Sequence, residues 1–246
     1  MINFNNKSNI IWAETKICIL GGGKSGIAAA KLGRYVGANI FISDSNDSTD
    51  TIKKMREFDY ESGVHSKKIL DSDLIIISPG IPDSIPIITD CKCENIPIIS
   101  EIEFASWFTR SPILALTGSN GKTTTINLLH DMCISDGKNS FLGGNVGIPF
   151  SENVLWELES KIINAVHVLE LSSFQLEYIQ CFSPVIAGLL NISEDHMDRY
   201  KDIHDYSDTK FNITINMDDS GWVIYNADDP ILENAFHKHE HTQIFS

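Results

Sequence analysis

Residues 118–125 read Gly-Ser-Asn-Gly-Lys-Thr-Thr-Thr and gather several kinds of phosphate-handling group in a few residues. Gly118 and Gly121 let the backbone wrap an anion with no Cβ in the way, and the amides through Ser119, Asn120 and Thr124 lie at a helix N-terminus, where the dipole favours negative charge. Lys122 adds a mobile positive charge, and Thr123 supplies a hydroxyl where phosphate loops hold Mg²⁺. The Walker spacing puts the first glycine at 116, which is Leu116 here, so this is a shortened Gly-x-x-Gly-Lys-Thr variant. A second loop, Gly21-Gly22-Gly23-Lys24-Ser25-Gly26, carries the Gly-x-Gly-x-x-Gly spacing, with Asp44 further on. Alone it points to NAD or FAD and an oxidoreductase, or to a plain tight turn.

Other groups follow in the chain. Glu170 ends the apolar run 165–169 and suits Mg²⁺, directly or through water, or alternatively the cap of a helix. Ser172 and Gln175 share a face if a helix opens there; they fit a polar ligand, or equally a cap and a solvated amide. Residues 191–200, Asn-Ile-Ser-Glu-Asp-His-Met-Asp-Arg-Tyr, crowd ligating groups around His196 after another strand. Lys210 sits in a helix-compatible stretch with Tyr206 and Phe211 as packing residues. The segment 237–241 is rich in histidine without a defensible metal spacing.

These groups need elements to hold them. Strand 113–117 and helix 126–133 flank the Lys122 loop; strand 16–20, helix 27–36 and strand 39–43 form a β-α-β unit around the first loop. Further strands are expected at 73–77, 96–100, 165–169, 185–190 and 221–225, one more is expected to start at 242–245, and helices at 101–108 and 203–217. Ser78-Pro79-Gly80 is a turn, residues 109–112 are a linker, and 143–149 is a glycine-rich loop. The expectation is an α/β protein with an N-terminal Rossmann-like parallel-sheet domain, 1–110, and a P-loop-type α/β ATPase domain, 111–246.

The chain has 246 residues, 42% of them hydrophobic, and a formal charge of −14. That acidity argues against broad nucleic-acid or anionic-membrane binding. No apolar run approaches the roughly 18 residues of a spanning helix, and the N-terminus lacks signal-peptide character, so a cytoplasmic protein is expected; a monomer is expected as well, on no residue pattern. Cys18, Cys91, Cys93, Cys133 and Cys181 lack Cys-x-x-Cys spacing and read as thiols in a reducing compartment.

In this order, the glycine loops, Ser78-Pro79-Gly80-Ile81, Gly143-Gly144-Asn145-Val146-Gly147, residues 170–177 and residues 191–200 closely resemble the Mur ligases of peptidoglycan synthesis, nearest to the branch that adds D-glutamate. The resemblance implies an ATP-dependent amide ligase acting on UDP-N-acetylmuramoyl-L-alanine and D-glutamate through an acyl phosphate. By similarity, Gly118–Thr124 would cradle ATP with Lys122. Thr123 and Glu170 would hold its Mg²⁺, while His196 and a carbamylated Lys210 would serve a second ion. Lys24, Ser25 and Gly26 would meet the diphosphate and Asp44, Ser45, Asn46 and Gly80 the uridine, with Asn145, Ser172, Gln175 and His196 at the muramoyl-alanine end. Family members carry a third, C-terminal domain and a longer central domain, so the 246 residues alone are expected to have little or no ligase activity. A non-catalytic nucleotide-binding module is the remaining alternative.

Overall fold

The apolar run after Lys16 forms β1 (Lys16–Leu20), in which Ile17, Cys18, Ile19 and Leu20 are fully buried. A strand buried on both faces needs neighbours on both sides. In the computed structural model, which describes residue 2 and residues 4–237 and 243–245, those neighbours are supplied within the first of two units. After β1 come α1 (Lys24–Tyr35), β2 (Asn39–Asp44), α2 (Thr49–Met55), β3 (Asp59–Ser62), β4 (Leu74–Ile77), α3 (Pro86–Cys93), β5 (Ile98–Ser100) and α4 (Glu101–Ser106). All strand pairs are parallel, in the order β3-β2-β1-β4-β5. Ile17 lies between Ile40 and Leu74 in register, and Leu20 between Ser43 and Ile77. The winding reverses at β1, so the loop after β1 opens at the point where parallel sheets receive ligands. This unit includes residues through Thr109 together with Pro149–Trp156 and Tyr178–Cys181. Two buried carboxylates of α4 hold the later segments: Glu101 Oε1 accepts from Ser151 N at 2.5 Å, and Glu103 accepts from the amides of Gln180 and Cys181.

The second unit is built from β6 (Ile113–Thr117), α5 (Lys122–Ser135), β7 (Asn139–Gly144), the end of α6 (Phe150–Ser160), β8 (Ala165–Glu170), α7 (Ser173–Leu176), β9 (Ile186–Leu189), α8 (Ile203–Phe211), β10 (Trp222–Tyr225), α9 (Pro230–Phe236) and β11 (Gln243–Phe245). Its sheet is again parallel, ordered β11-β10-β9-β6-β8-β7. β6 therefore lies between β8 and β9. The Lys122 loop leaves β6 flanked by whatever follows those two strands, which is where Glu170 and residues 191–200 stand.

The expected α/β class with two parallel sheets is what forms. Boundaries differ for physical reasons. α1 and α5 begin at Lys24 and Lys122 rather than at 27 and 126, because a glycine serves as N-cap of each and the motif lysine is already helical. The helix expected over 203–217 stops at Phe211 and tightens into a 3-10 turn, Asn212–Thr214. The glycine loop expected at 143–149 starts inside β7, where the chain reads Asn-Ser-Phe-Leu-Gly-Gly with little apolar signal. Strands β3 and β7 and helices α2, α3, α6 and α9 were not expected from the sequence pattern. The polar segment around residues 238–242 lies outside the described residues. No helix among the described residues is long and apolar enough to cross a membrane.

Candidate functional site

In the second unit the Lys122 loop is tied down before any ligand is considered. Ser119 N donates to Asn191 O at 2.9 Å, Asn120 N to Asn191 Oδ1 at 2.8 Å, and Ser119 Oγ to Ser193 O at 2.9 Å. Ser193 N and Asn191 Nδ2 return bonds to Ser119 Oγ and Asn120 O. The stretch after β9 is thus one wall of the loop. Gly121 takes φ +82° as N-cap of α5, a left-handed conformation that glycine adopts without a steric cost.

The charged groups converge on this loop. Lys122 Nζ donates to the carbonyls of Gly118 (2.8 Å) and Ser119 (2.9 Å). Lys210 Nζ, from α8, donates to the same Gly118 carbonyl at 3.0 Å. Lys210 is 2% exposed. Burial, reinforced by the Lys122 charge and opposed by Asp195 and Glu170, pulls its pKa down to about 7. Opposite, Glu170 at the end of β8 is buried, accepting from Thr123 Oγ1 through Oε2 and from Asn145 Nδ2 through Oε1, both at 2.9 Å. It caps no helix here. The close pass of β7 against Glu170 requires Gly144, with φ +98°, where a Cβ would lie 2.2 Å from the Glu170 carbonyl oxygen.

His196 follows on the wall segment with φ +56°. Its imidazole is about half exposed, 3.5 Å from Asp195 and tilted against Phe174 with ring centroids 4.8 Å apart. The Arg199 guanidinium lies over the Phe174 ring, 4.3 Å from its centroid, and Glu177 accepts from Arg199 and from Tyr200 Oη. Ser172 and Gln175 form a reciprocal capping box on α7, with Gln175 buried. Two residues that sequence reasoning passed over as packing or ignored belong to this constellation. Tyr206, buried, lies 4.6 Å from Lys210 Nζ by its ring and 3.4 Å from Ser119 Oγ by its hydroxyl; its i, i+4 spacing from Lys210 is the signal that was available. Asp229 receives Ile192 N at 2.7 Å and steadies the wall from behind.

In the first unit the glycine loop is arranged around Asp44. Its Oδ2 accepts from Gly22 N at 2.6 Å and its Oδ1 from Asn46 N at 2.7 Å. Gly23 caps α1 without a side chain, and Gly26 is enforced by contact, since a Cβ there would lie 1.8 Å from the Gly21 carbonyl oxygen. Lys24, Ser45, Asn46 and Gly80 are exposed and Ser25 is half-buried. Ser78 Oγ donates to Gly21 O.

Chemically, the second-unit site offers loop amides, an amine of lowered pKa, a lysine ammonium and a hard oxygen pair, Thr123 and Glu170, of the kind Mg²⁺ prefers. No cluster of three or more His, Cys, Asp or Glu residues suited to a metal occurs among the described residues. As an amine, Lys210 is a hydrogen-bond donor here and not a ligand.

Comparison with known proteins agrees with this arrangement. Residues 116–246 match the Mur ligase middle domain, and residues 16–85 match the MurD N-terminal domain. The UDP-N-acetylmuramoylalanine--D-glutamate ligase of Christiangramia forsetii is 42% identical over 228 residues, covering 91% of this chain and 50% of that protein. The protein of the same name from Chlorobaculum parvum is 41% identical, covering 89% and 48%. The chain spans about half the length of the curated relatives it matches. Among solved structures, the fold resembles UDP-N-acetylmuramate:L-alanyl-gamma-D-glutamyl-meso-diaminopimelate ligase from Neisseria meningitides, at TM-score 0.65 and 17% identity over 94% of this chain and 76% of that one. It also resembles UDP-N-acetylmuramate-alanine ligase from Thermotoga maritima, at TM-score 0.53 and 23% identity over 95% and 53%. The Mur ligase middle-domain match covers more than half of the chain, which settles the family against the oxidoreductase alternative: the chain belongs to the Mur ligase family.

Proposed function

We propose that this chain supplies the nucleotide-binding part of an ATP-dependent ligase that joins D-glutamate to UDP-N-acetylmuramoyl-L-alanine in peptidoglycan synthesis. Residues 1–110 bind the UDP end and residues 111–246 bind ATP. The observation that carries this is the meeting of Lys122, Lys210, Thr123 and Glu170 around the loop 118–123. The alanyl carboxylate attacks the γ-phosphorus of ATP, the bond to ADP breaks, and an acyl phosphate forms. The D-glutamate amine then displaces phosphate and loses a proton to give the amide. Both partners of the first step are anions, so alignment and charge neutralisation dominate the barrier.

Each residue has a part in this reading. Loop amides of Gly118, Ser119, Asn120, Gly121 and Thr124 cradle the phosphates, and Lys122 turns from the loop carbonyls to the γ-phosphate. Thr123 and Glu170 would hold Mg²⁺, with His196 and Lys210 at a second ion once Lys210 is carbamylated; the lowered pKa supports this, because the neutral amine is the form that adds CO₂. Bound there, the metal would neutralise phosphate charge. Asn145, held by Glu170, together with Ser172, Gln175 and His196 would face the muramoyl-alanine end. In the first unit, the amides of Lys24, Ser25 and Gly26 receive the diphosphate, and Asp44, Ser45, Asn46 and Gly80 the uridine. Working as a cytoplasmic monomer, such an enzyme serves wall growth, cell division and cell shape.

Calorimetric titration tests the two halves of this reading separately. Saturable binding of ATP with Mg²⁺ and of UDP is expected, and silence with ATP would sink the proposal. In a coupled ADP-release assay with both substrates, the 246 residues alone are expected to turn over weakly or not at all.

A further inference from the structure

Strand β3 ends at Ser62, and Gly63, with φ +78°, turns the chain so that Val64 and His65 come back to the end of β2. In register Ser43 stands opposite Glu61, and Asp44 opposite Ser62. These are the carboxyl ends of parallel strands, the side of the sheet on which the first glycine loop opens. The Ser43 carbonyl accepts from Gly21 N, the first amide of that loop.

The side chains here form one run of hydrogen bonds. Ser43 is fully buried, with Oγ 2.7 Å from Glu61 Oε1 and 2.7 Å from His65 Nδ1. Glu61 also accepts from Ser66 N through Oε1 at 2.8 Å and from Ser66 Oγ through Oε2 at 2.5 Å. Burial alone would raise the Glu61 carboxyl, but the bonds from Ser66 and Ser43 and the Lys68 charge outweigh it and hold the group below its ordinary value. It is therefore ionised and can only accept. The single hydroxyl proton of Ser43 goes to this carboxylate, since the alternative acceptor, Val64 O, is 3.4 Å away. Toward the ring Ser43 Oγ is then an acceptor, which puts a proton on His65 Nδ1.

Burial holds the half-buried His65 below its ordinary value, against the charges of Asp44 and Glu61, so the ring is neutral at pH 7. In a neutral ring protonated at Nδ1, Nε2 is an acceptor. That nitrogen has no partner among the described residues. Asp44, close enough for its charge to act on the ring, is an acceptor too, already engaged with the Gly22 and Asn46 amides.

We propose that His65 is a further specificity-determining residue of the first unit's site, its Nε2 accepting a hydrogen bond from an N–H or O–H of the ligand's nucleoside end beside Asp44. Two neighbouring acceptors fit a ligand that brings donors, such as ribose hydroxyls or the ring N–H of uracil, and disfavour one that presents lone pairs there. Ser43 and Glu61 fix which ring nitrogen is offered. The inference rests on the reading that residues 1–110 bind the UDP end.

The test uses the full 246-residue chain. Nitrogen NMR with isotope-labelled histidine, the His65 signals being those lost in His65→Asn, is expected to show the proton on Nδ1 at pH 7. Saturation with UDP is expected to shift Nε2 and leave Nδ1 in place. His65→Asn keeps an amide donor where Nδ1 stands, and so the bond to Ser43, but has nothing at the place of Nε2. By calorimetry it is expected to weaken UDP binding about fivefold or more, with melting temperature and ATP binding unchanged; a residue that only supports the fold would be rescued by this variant. Protonation turns Nε2 into a donor, so UDP affinity is expected to be full above the pKa of the ring and to fall as pH drops below about 6.5. That fall is expected to be steeper than in His65→Asn, the titration of the ligand's phosphate being common to both. Of 2′-deoxy-UDP, 3′-deoxy-UDP and N3-methyl-UDP, one is expected to bind both chains equally, which locates the donor. A proton on Nε2, equal UDP binding by the two chains, or a full difference between them for all three analogues overturns the proposal. No binding of UDP by the unsubstituted chain sinks the functional reading itself, whereas binding that ignores His65 sinks this inference alone.

Discussion

The two glycine loops solve related problems with different reserves of charge. The first is held by a carboxylate: Asp44 engages the Gly22 amide at its C-terminal strand end, and the nearest motif lysine, Lys24, points to solvent. The second is held by two lysines, Lys122 and Lys210, that share the Gly118 carbonyl, with Thr123 and Glu170 opposite. Backbone amides with little added charge suit a diphosphate that stays intact. Concentrated, partly desolvated positive charge suits a phosphate chain that is cut, because charge moves during the reaction and pre-set groups need not reorganise. Glycine spacing alone is shared by both loops; what separates them is the chemistry brought by neighbouring strands.

The largest effect expected tests the first loop. Gly26→Ala would place a methyl 1.8 Å from the Gly21 carbonyl oxygen, so the loop must open; a loss of about 3 kcal/mol or more is expected in denaturant unfolding. Gly23→Ala, with no neighbour within 4 Å of the added carbon, is expected to stay within about 0.5 kcal/mol. Similar losses for both would break the account of how that loop is built.

Next, Lys122→Ala is expected to weaken ATP binding by roughly 100-fold, the scale of a lost charge-assisted bond of about 3 kcal/mol. Lys24→Ala should change UDP binding by less than about threefold, because an exposed cation is screened. Equal sensitivity of the two loops to their lysines, measured by titration, would erase the contrast in charge.

The third expectation separates stability from binding. Burial raises Glu101 to about 7, against the help of the Ser151 amide and hydroxyl. A raised carboxylate binds its proton more tightly folded than unfolded, so stability is full below about pH 4.5 and falls as pH climbs toward 7. Glu101→Gln, which keeps the acceptor for Ser151 N, is expected to remove up to about 3 kcal/mol of that decline. Melting curves at pH 5 and pH 8 read it, and UDP affinity should not move. Smallest of all, Asp44→Asn is expected to weaken UDP binding by about tenfold, near 1.4 kcal/mol, with ATP binding intact. An ATP effect would mean that the units are not independent in their ligands.

Much of this was legible because strand ends carry the groups. Continuous apolar runs such as 16–20 and 113–117 announce buried parallel strands, and the glycines that follow them announce the loops. Lys122, Thr123 and Glu170 could be placed for that reason. What could not be read is strand order. Nothing in the sequence pattern says that β6 lies between β8 and β9, so the pairing of Thr123 with Glu170, of Asn120 with Asn191, and of Asn145 with Glu170 becomes visible only in three dimensions. β7 and β3 escaped because strands at a sheet edge tolerate polar and glycine residues, which blunts the alternation that betrays a strand. Ser172 and Gln175 left a choice between ligand and cap, and the capping box is what their side chains form.

The shared Gly118 carbonyl has a consequence for the second unit as a whole. Two amines share one oxygen, and Lys122 pushes Lys210 toward losing its proton. The fold is therefore electrostatically frustrated at its own centre, and a polyanion seated there relieves repulsion at the same moment that it gains hydrogen bonds. On the proposed reading a bound nucleotide acts as a missing piece of the core, so even simple tripolyphosphate should raise the melting temperature of this unit.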